Sequence, residues 1–320
     1  MRSTPARASR GRVIAAFAAI YIIWGSTYLF MRFAVETVPP IGMSGFRFFT
    51  AGALLYALTR WRTPGSTSSA PLRPHALVGV LLTAGNATIS WAVTRVPSGV
   101  ASLLVAMTPC WMVLFDWWRP RGARPAFGVM AGVVLGLAGT LVLVGPHSLG
   151  GAPVDPLGAG VALLGTMSWA AGSIYSRSIP QLSSSFHSSA VQLMTGGATV
   201  LLVAVVSGEF GGFQWSSVSV RSAVSLVYLV LVGSLIAFSA YMYLLSVSSP
   251  ALVSTYAFVN PVVAVVLGAL FAGESISPRL LLAGIVIVAA VALITLYSGE
   301  RKRRVSAAGD AAHASVREAP

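Results

Sequence analysis

Apolar runs long enough to cross a bilayer recur along this chain, separated by short polar breaks. A membrane helix needs about 20 such residues to traverse a core of about 30 Å. Runs of that kind lie near 13–34, 41–59, 75–94, 97–118, 126–145, 156–176, 186–206, 223–245, 250–272 and 278–298. The breaks carry residues that stop helices: Pro39-Pro40, the serine-rich 63–71, Arg119-Pro120-Arg121, Gly150-Gly151 and Gly211-Gly212. The pattern predicts an all-α integral membrane fold with ten transmembrane helices.

Composition supports this reading. Hydrophobic residues make up 56% of the chain, charged residues 9%, and the mean hydropathy is +0.80. A soluble domain carries about 25% charged residues to keep its surface wet. The first run is too long for a cleaved signal, whose apolar region is about 7–15 residues. It reads as a first span behind a basic cytoplasmic segment, 1–12, holding Arg2, Arg7, Arg10 and Arg12.

The net charge of +13 does not point to nucleic acid, because the arginines lie between apolar runs rather than on one domain. The expected partners are the lipid bilayer, with its anionic inner face, and a small organic solute. With both termini cytoplasmic, most basic residues fall on inside segments, and only Arg95, Arg221 and Arg279 fall on outside loops. The expected location is the inner membrane. The stretch 299–320 is basic and reads as a disordered cytoplasmic tail.

The second half echoes the first. Trp24 precedes Arg32 as Trp169 precedes Arg177, and VPSGVASLLVAMTP ends at Pro109 as SPALVSTYAFVNP ends at Pro261. One constant offset sets Trp91 against Tyr243, Ser102 against Ser254, Thr108 against Asn260, and Ala131-Gly132 against Ala283-Gly284. The repeats are 13–145 and 156–298, joined by a linker, 146–155. Each contains five spans, an odd number, so the second copy must be inverted. Inverted repeats place transport sites near the midplane, at their interface.

The segments IIWGSTYLFMRFAVE (22–36) with Pro39-Pro40, FRFFTAGALL (46–55), VPSGVASLLVAMTP (96–109) and VSTYAFVNPVVAVVLGALFAGESIS (253–277) resemble the EamA group of the drug/metabolite transporter superfamily. The resemblance covers about 13–298. It implies a ten-helix inverted-repeat carrier, often an exporter of amino acids, related metabolites or amphiphilic compounds, working by alternating access. Members often carry an acid after the fourth and ninth helices. Glu274 fits the second position; the first has Asp116 earlier and Gly122 near the equivalent place.

Candidate cavity residues combine aromatic faces with hydrogen-bonding groups inside spans. They are Trp24, Tyr28, Asn86, Trp91, Ser102, Thr108, Trp169, Ser173, Tyr243, Ser254, Tyr256 and Asn260, with Tyr175, Tyr241 and Gln192 nearby in the pattern. The alternative for each is interfacial anchoring or helix packing. Pro109 and Pro261 are candidate hinges, since proline releases the carbonyl four residues back, at Val105 and Ala257. Arg32 and Arg47 lie toward outer span ends, where they either snorkel to water or form an anion-attracting gate.

No Asp or Glu falls near a span centre, which disfavours a midplane carboxylate relay. His75, His147, His187 and His313 show no paired spacing, Cys110 is the single cysteine, and enzyme motifs are absent. No metal, cofactor or catalytic residue is expected, and the chain is not expected to be an enzyme. The stripe Gly128, Gly132, Gly136 and Thr140 reads as a packing face, inside the bundle or in a homodimer; the chain itself is read as a monomer or a homodimer. A channel-like or facilitative pore is the alternative to a carrier, with a membrane-embedded enzyme behind it.

Overall fold

A computed structural model describes residues 9–62, 70–119, 124–145, 153–248 and 250–317. The expectations for Arg2, Arg7, Pro120, Arg121, Gly122, His147, Gly150-Gly151 and most of the serine-rich break lie outside the described residues. Among the described residues there are helices and loops and no strand. The helices are α1 (Arg10–Ala34), α2 (Pro40–Arg62), α3 (Leu72–Ala92), α4 (Ser98–Val105), α5 (Thr108–Trp118), α6 (Phe127–Val144), α7 (Pro156–Ser176), α8 (Ser185–Val206), α9 (Val220–Tyr228), α10 (Ala237–Val247), α11 (Pro250–Val253), α12 (Tyr256–Ala272) and α13 (Pro278–Arg317).

Eight segments of the described residues are long and apolar enough to cross a membrane: Arg10–Ala34, Pro40–Arg62, Ser98–Trp118, Phe127–Val144, Pro156–Ser176, Ser185–Val206, Val220–Leu245 and Pro278–Ser298. α12 is a shorter apolar helix of 17 residues. α3 has spanning length but carries Arg73, His75, Thr83, Asn86, Thr88 and Ser90, and is not one of the eight. At the C-terminus the backbone stays helical through Arg317, where the sequence reads as a disordered tail.

The expected breaks are only partly where proline placed them. α4 stops at Val105 and α5 starts at Thr108, with Pro109 in its first turn. The carbonyl that Pro109 releases is not wasted, because the Thr108 hydroxyl donates to Val105 O at 2.6 Å. α12, by contrast, runs through Pro261 unbroken, and its interruption lies earlier, at Ser254–Thr255. A third irregularity was not foreseen: Leu229–Ile236 form a π-helical stretch between α9 and α10. Such stretches are often found at functional sites.

Lipid offers no hydrophobic drive between helices, so close backbone approach through small residues must hold them together. α8 packs on α2 and α3, and α7 packs on α3. At the α3–α8 crossing Gly79 and Gly196 face each other. A Cβ on Gly79 would lie 2.1 Å from the Gln192 carbonyl oxygen, and one on Gly196 would lie 2.2 Å from the Gly79 carbonyl oxygen. The stripe on α6 resolves to packing inside the bundle: Gly128 faces Tyr297 and Gly132 faces Ile294 of α13, while Gly136 faces Cys110 and Met107. Cys110 is fully buried there. A membrane-impermeant maleimide should therefore leave the native protein unlabelled in detergent and label it once unfolded.

Candidate substrate pocket and the tied end

Trp24 stands at the middle of an aromatic box. Its ring meets Tyr256 edge-on at 4.9 Å and Tyr241 at 5.2 Å between centroids. Its indole N–H donates to the Gly233 carbonyl at 3.2 Å, inside the π-helical stretch. A bulge in the helix frees carbonyls that an unbroken α-helix would use, and Trp24 takes one of them. Phe17, Tyr21 and Tyr243 pack around the same cluster, and Tyr21 bonds the Thr255 hydroxyl. The box is thus built from α1, α10 and α12, with the interruption before α12 at its edge. Two residues further along α1, Ser26 and the Tyr228 hydroxyl share a hydrogen bond of 2.8 Å, and Tyr228 stacks on Phe30 at 3.8 Å.

Tyr28 lies within electrostatic reach of both Tyr256 and Arg47. Arg47 does not snorkel. It is 5% exposed, its Nε donates to the Ser234 hydroxyl at 3.1 Å, and its guanidinium lies 4.8 Å from the Phe48 ring centroid. Asn260 on α12 is also buried, with its Oδ1 unpartnered, beside the point where Gly25 lets α1 approach.

Other sequence candidates go elsewhere. Trp91, at the end of α3, lies under the Arg95 guanidinium at 4.8 Å. Trp169 is 36% exposed on α7, with its backbone N and Cβ against Gly85 of α3. Ser102 turns back on its own helix, donating to Gly99 O, and Thr108 donates to Val105 O at the end of α4. Ser173 is half-buried on α7 and Ser254 half-buried ahead of α12. Asn86 accepts a long 3.5 Å contact from Ser44. Gln192 bonds the buried His75, which in turn bonds the Pro180 carbonyl, so this trio fastens α3 to α8 and the 177–184 turn. Arg32 donates to the Val93 carbonyl at 2.6 Å and joins α1 to the end of α3.

That last bond belongs to a set that ties helix ends together at one end of the bundle. Helices α2 and α4 start at prolines and lack a side-chain N-cap of their own, leaving N–H groups without partners. Glu209, just past α8, accepts from Ile41 N–H and Gly42 N–H at 2.9 and 2.7 Å. Glu274, just past α12, accepts from Ser98 N–H and Gly99 N–H at 2.6 and 3.1 Å. Each carboxylate thus sits on a positive helix N-terminus of a distant segment. Arg221 pairs with Glu36 at 3.3 Å and covers the Phe33 ring at 3.5 Å. The buried Arg279 donates to the Val142 and Leu143 carbonyls that end α6. A cleft at this end is lined by Pro97, Val100, Leu143, Val154, Glu274 and Arg279.

Arg95 and Asp155 complete the set at 3.1 Å. The Arg95 hydrogen bond, then the Leu157 N–H, hold the exposed Asp155 carboxyl below its ordinary range. A carboxyl lowered in the folded state stabilises it above the unfolded value and loses that effect only as pH falls through the lowered one. The tie should therefore be unchanged between pH 5 and 8 and weaken only on stronger acidification, which labelling of this end across pH would show.

The comparisons with known proteins agree with this architecture. The EamA-like transporter family profile matches residues 11–145 and again residues 156–296. The chain belongs to the EamA-like transporter family. This EamA-like chain is 40% identical over 280 residues to the uncharacterized inner membrane transporter YedA of Escherichia coli (strain K12), covering 87% of this chain and 89% of that one. It is 27% identical to the uncharacterized transporter YvbV of Bacillus subtilis (strain 168), over 89% and 92% of the two chains. It is 26% identical to a probable terminal-alkyne amino-acid exporter of Streptantibioticus cattleyicolor, over 90% and 95%. A crystal structure of a protein 23% identical in sequence superposes with a TM-score of 0.61, over 91% of this chain and 99% of that chain, and shares its fold. The EamA-like chain is a membrane transporter.

Sequence reading missed Gly233, Ser234, Tyr228 and Thr255 around this EamA-like chain's aromatic cluster, and Glu209 among the ties. A uniformly apolar stretch such as LVLVGSLI gives no local sign of a π-bulge. The Glu ties had one legible sign: two helices that begin at Pro without a capping side chain need an acceptor from elsewhere.

Proposed function

We propose that this transporter is a secondary carrier that exports a small organic solute across the inner membrane by alternating access. The solute sits in the box formed by Trp24, Tyr241 and Tyr256, with Tyr28, Tyr243 and Asn260 on its margins. The observation that carries this reading is the meeting of α1, α10 and α12 in one aromatic cluster beside irregular backbone. Aromatic walls with a few placed polar groups are what a solute site needs.

The ten-helix, inverted-repeat plan belongs to the same proposal. It treats α4–α5, α9–α10 and α11–α12 each as one interrupted span and counts α3 as a span. The double family match supports it, since each copy then holds five spans. Both termini are read as cytoplasmic, which puts the tied end outside. The carboxylate ties then hold the outer gate closed, and their release opens it. The amino-acid exporter among the relatives supports an organic cargo.

A growth-resistance screen tests this. Cells overexpressing the protein are challenged with toxic amino-acid analogues, amines and amphiphilic drugs, and at least one hit is expected. Trp24→Ala and Tyr256→Ala should each remove that resistance by roughly tenfold or more at unchanged membrane level, since covering a large aromatic side chain contributes about 1.5–3 kcal/mol of apolar contact. Trp169→Ala, on α7 away from the box, should retain it. Resistance that survives both pocket substitutions would place the site elsewhere.

A further inference from the structure

We propose that Arg47 is the anion-recognition residue of the pocket, so that the cargo carries a carboxylate joined to an apolar or aromatic body. This rests on the carrier reading above and names its substrate class.

A guanidinium has five N–H donors and is always charged. Arg47 lies seven residues into α2, roughly 10 Å from the helix start and therefore inside the hydrocarbon layer. It is 5% exposed, yet its one hydrogen bond to a side chain goes to a neutral hydroxyl, that of Ser234, and its Nη1 is buried with no partner. An ionised group held at membrane depth without a counter-ion marks a substrate or ion path unless a structural partner explains it.

No structural partner does. Five acidic side chains are engaged elsewhere: Glu36 with Arg221, Asp116 with Arg119, Asp155 with Arg95, and Glu209 and Glu274 on helix N-termini. Arg279 gives the contrast. It is as buried as Arg47 and also has an unpartnered Nη1, but it donates twice to the carbonyls that end α6. That helix end supplies the negative partial charge a cation needs. Arg47 has nothing equivalent.

The position also fits a cargo that is anionic at one end. Gly233 stands between Arg47 and the aromatic box. Its carbonyl accepts from Trp24, and a Cβ added to it would lie 3.5 Å from Arg47 Nη2 and 3.2 Å from Thr27. A carboxylate on the free edge of Arg47 would thus leave the rest of the solute beside Trp24 and Tyr256, with Tyr28 between. Arg177 also lies within electrostatic reach of Tyr241 and Tyr256, so a second positive charge acts on the cluster. One guanidinium with an unpartnered Nη1 suits a single carboxylate. A phosphate, with nearly two charges and more oxygens, would need more donors.

The test uses full-length protein in proteoliposomes and three matched sets of radiolabelled probes: aromatic and branched amino acids, their primary amides, and the corresponding decarboxylated amines. Wild-type protein should move the carboxylates in preference to amides and amines. Arg47→Gln, at equal folded amount by size exclusion, should lower the carboxylate-to-amide flux ratio about tenfold or more, and Arg47→Lys should restore part of it. Preference for amides or amines in the wild type would overturn the inference while leaving the carrier reading intact, and this arm needs no variant to fold. An unchanged ratio in Arg47→Gln would overturn the role of Arg47. No movement of any set would sink the carrier reading, and the inference with it.

Discussion

Replacing Gly196 with leucine should leave almost no folded protein in the membrane. The added Cβ alone would stand 2.2 Å from the Gly79 carbonyl oxygen and 2.2 Å from the Thr83 hydroxyl. Both belong to α3, whose backbone cannot yield without moving the whole helix. Overpacking a core that can relax costs about 1–3 kcal/mol. Here the clash is with backbone, so the crossing of α8 over α3 must open. That crossing also carries the contact of α8 with α2 nearby, where Gly197 meets the Phe49 backbone. Opening it therefore loosens three helices. Gly160→Leu is the matched control, because nothing lies within 4 Å of its added Cβ. Thermal unfolding in detergent, read by size exclusion, should show a large loss for Gly196→Leu and wild-type behaviour for Gly160→Leu. Equal stability of the two would remove the close α3–α8 crossing from this account.

The second large effect is expected at the tied end. Glu274→Ala removes both acceptors from the Ser98 and Gly99 N–H groups and leaves the start of α4 uncapped. A hydrogen bond to a charged group contributes about 1.5–3 kcal/mol. Allowing for water that replaces part of it, the closed state should lose about 2–3 kcal/mol, a population shift of roughly 30- to 150-fold. The readout is a cysteine at Val100, which lines the cleft and is 4% exposed, in a Cys110→Ser background. Impermeant maleimide should label it slowly with Glu274 present and at least tenfold faster with Glu274→Ala. Glu274→Gln should fall between, because it keeps an acceptor but not the charge. Glu209→Ala should act independently on the start of α2, so the double variant should approach the sum of the two effects. Equal labelling in all five proteins would mean that the carboxylates cap helices without gating.

Much of this bundle was legible in the chain because membrane helices are written as uninterrupted apolar length. The boundaries of α3, α7 and α8 fall within a few residues of the runs that predicted them. Depth along a span was legible too, as the break at Val105–Thr108 shows. Rotation about the span axis was not. In a soluble helix polar residues mark the outer face, whereas here lipid and core are both apolar. Trp169 could therefore be matched to Trp24 by the repeat and still lie part-exposed at the α3–α7 contact, while Trp24 faces the box. Pro261 failed as a break for a related reason: neighbouring helices can support a proline within an unbroken helix. Arg47 shows the opposite limit. Its distance from the span end suggested snorkelling, but the packing of α2 against the π-helical stretch turned it inward. Partners far apart in sequence, such as Glu209 with Ile41, leave no local pattern at all.

The central claim is that this protein is a carrier with one pocket alternately exposed, and counterflow in proteoliposomes tests it most directly. Using a radiolabelled compound identified by the resistance screen, uptake should saturate and should accelerate several-fold when the vesicles are preloaded with the same unlabelled compound. Trp24→Ala should remove both features. Flux that rises linearly with concentration and ignores the internal solute would contradict the carrier and establish a pore.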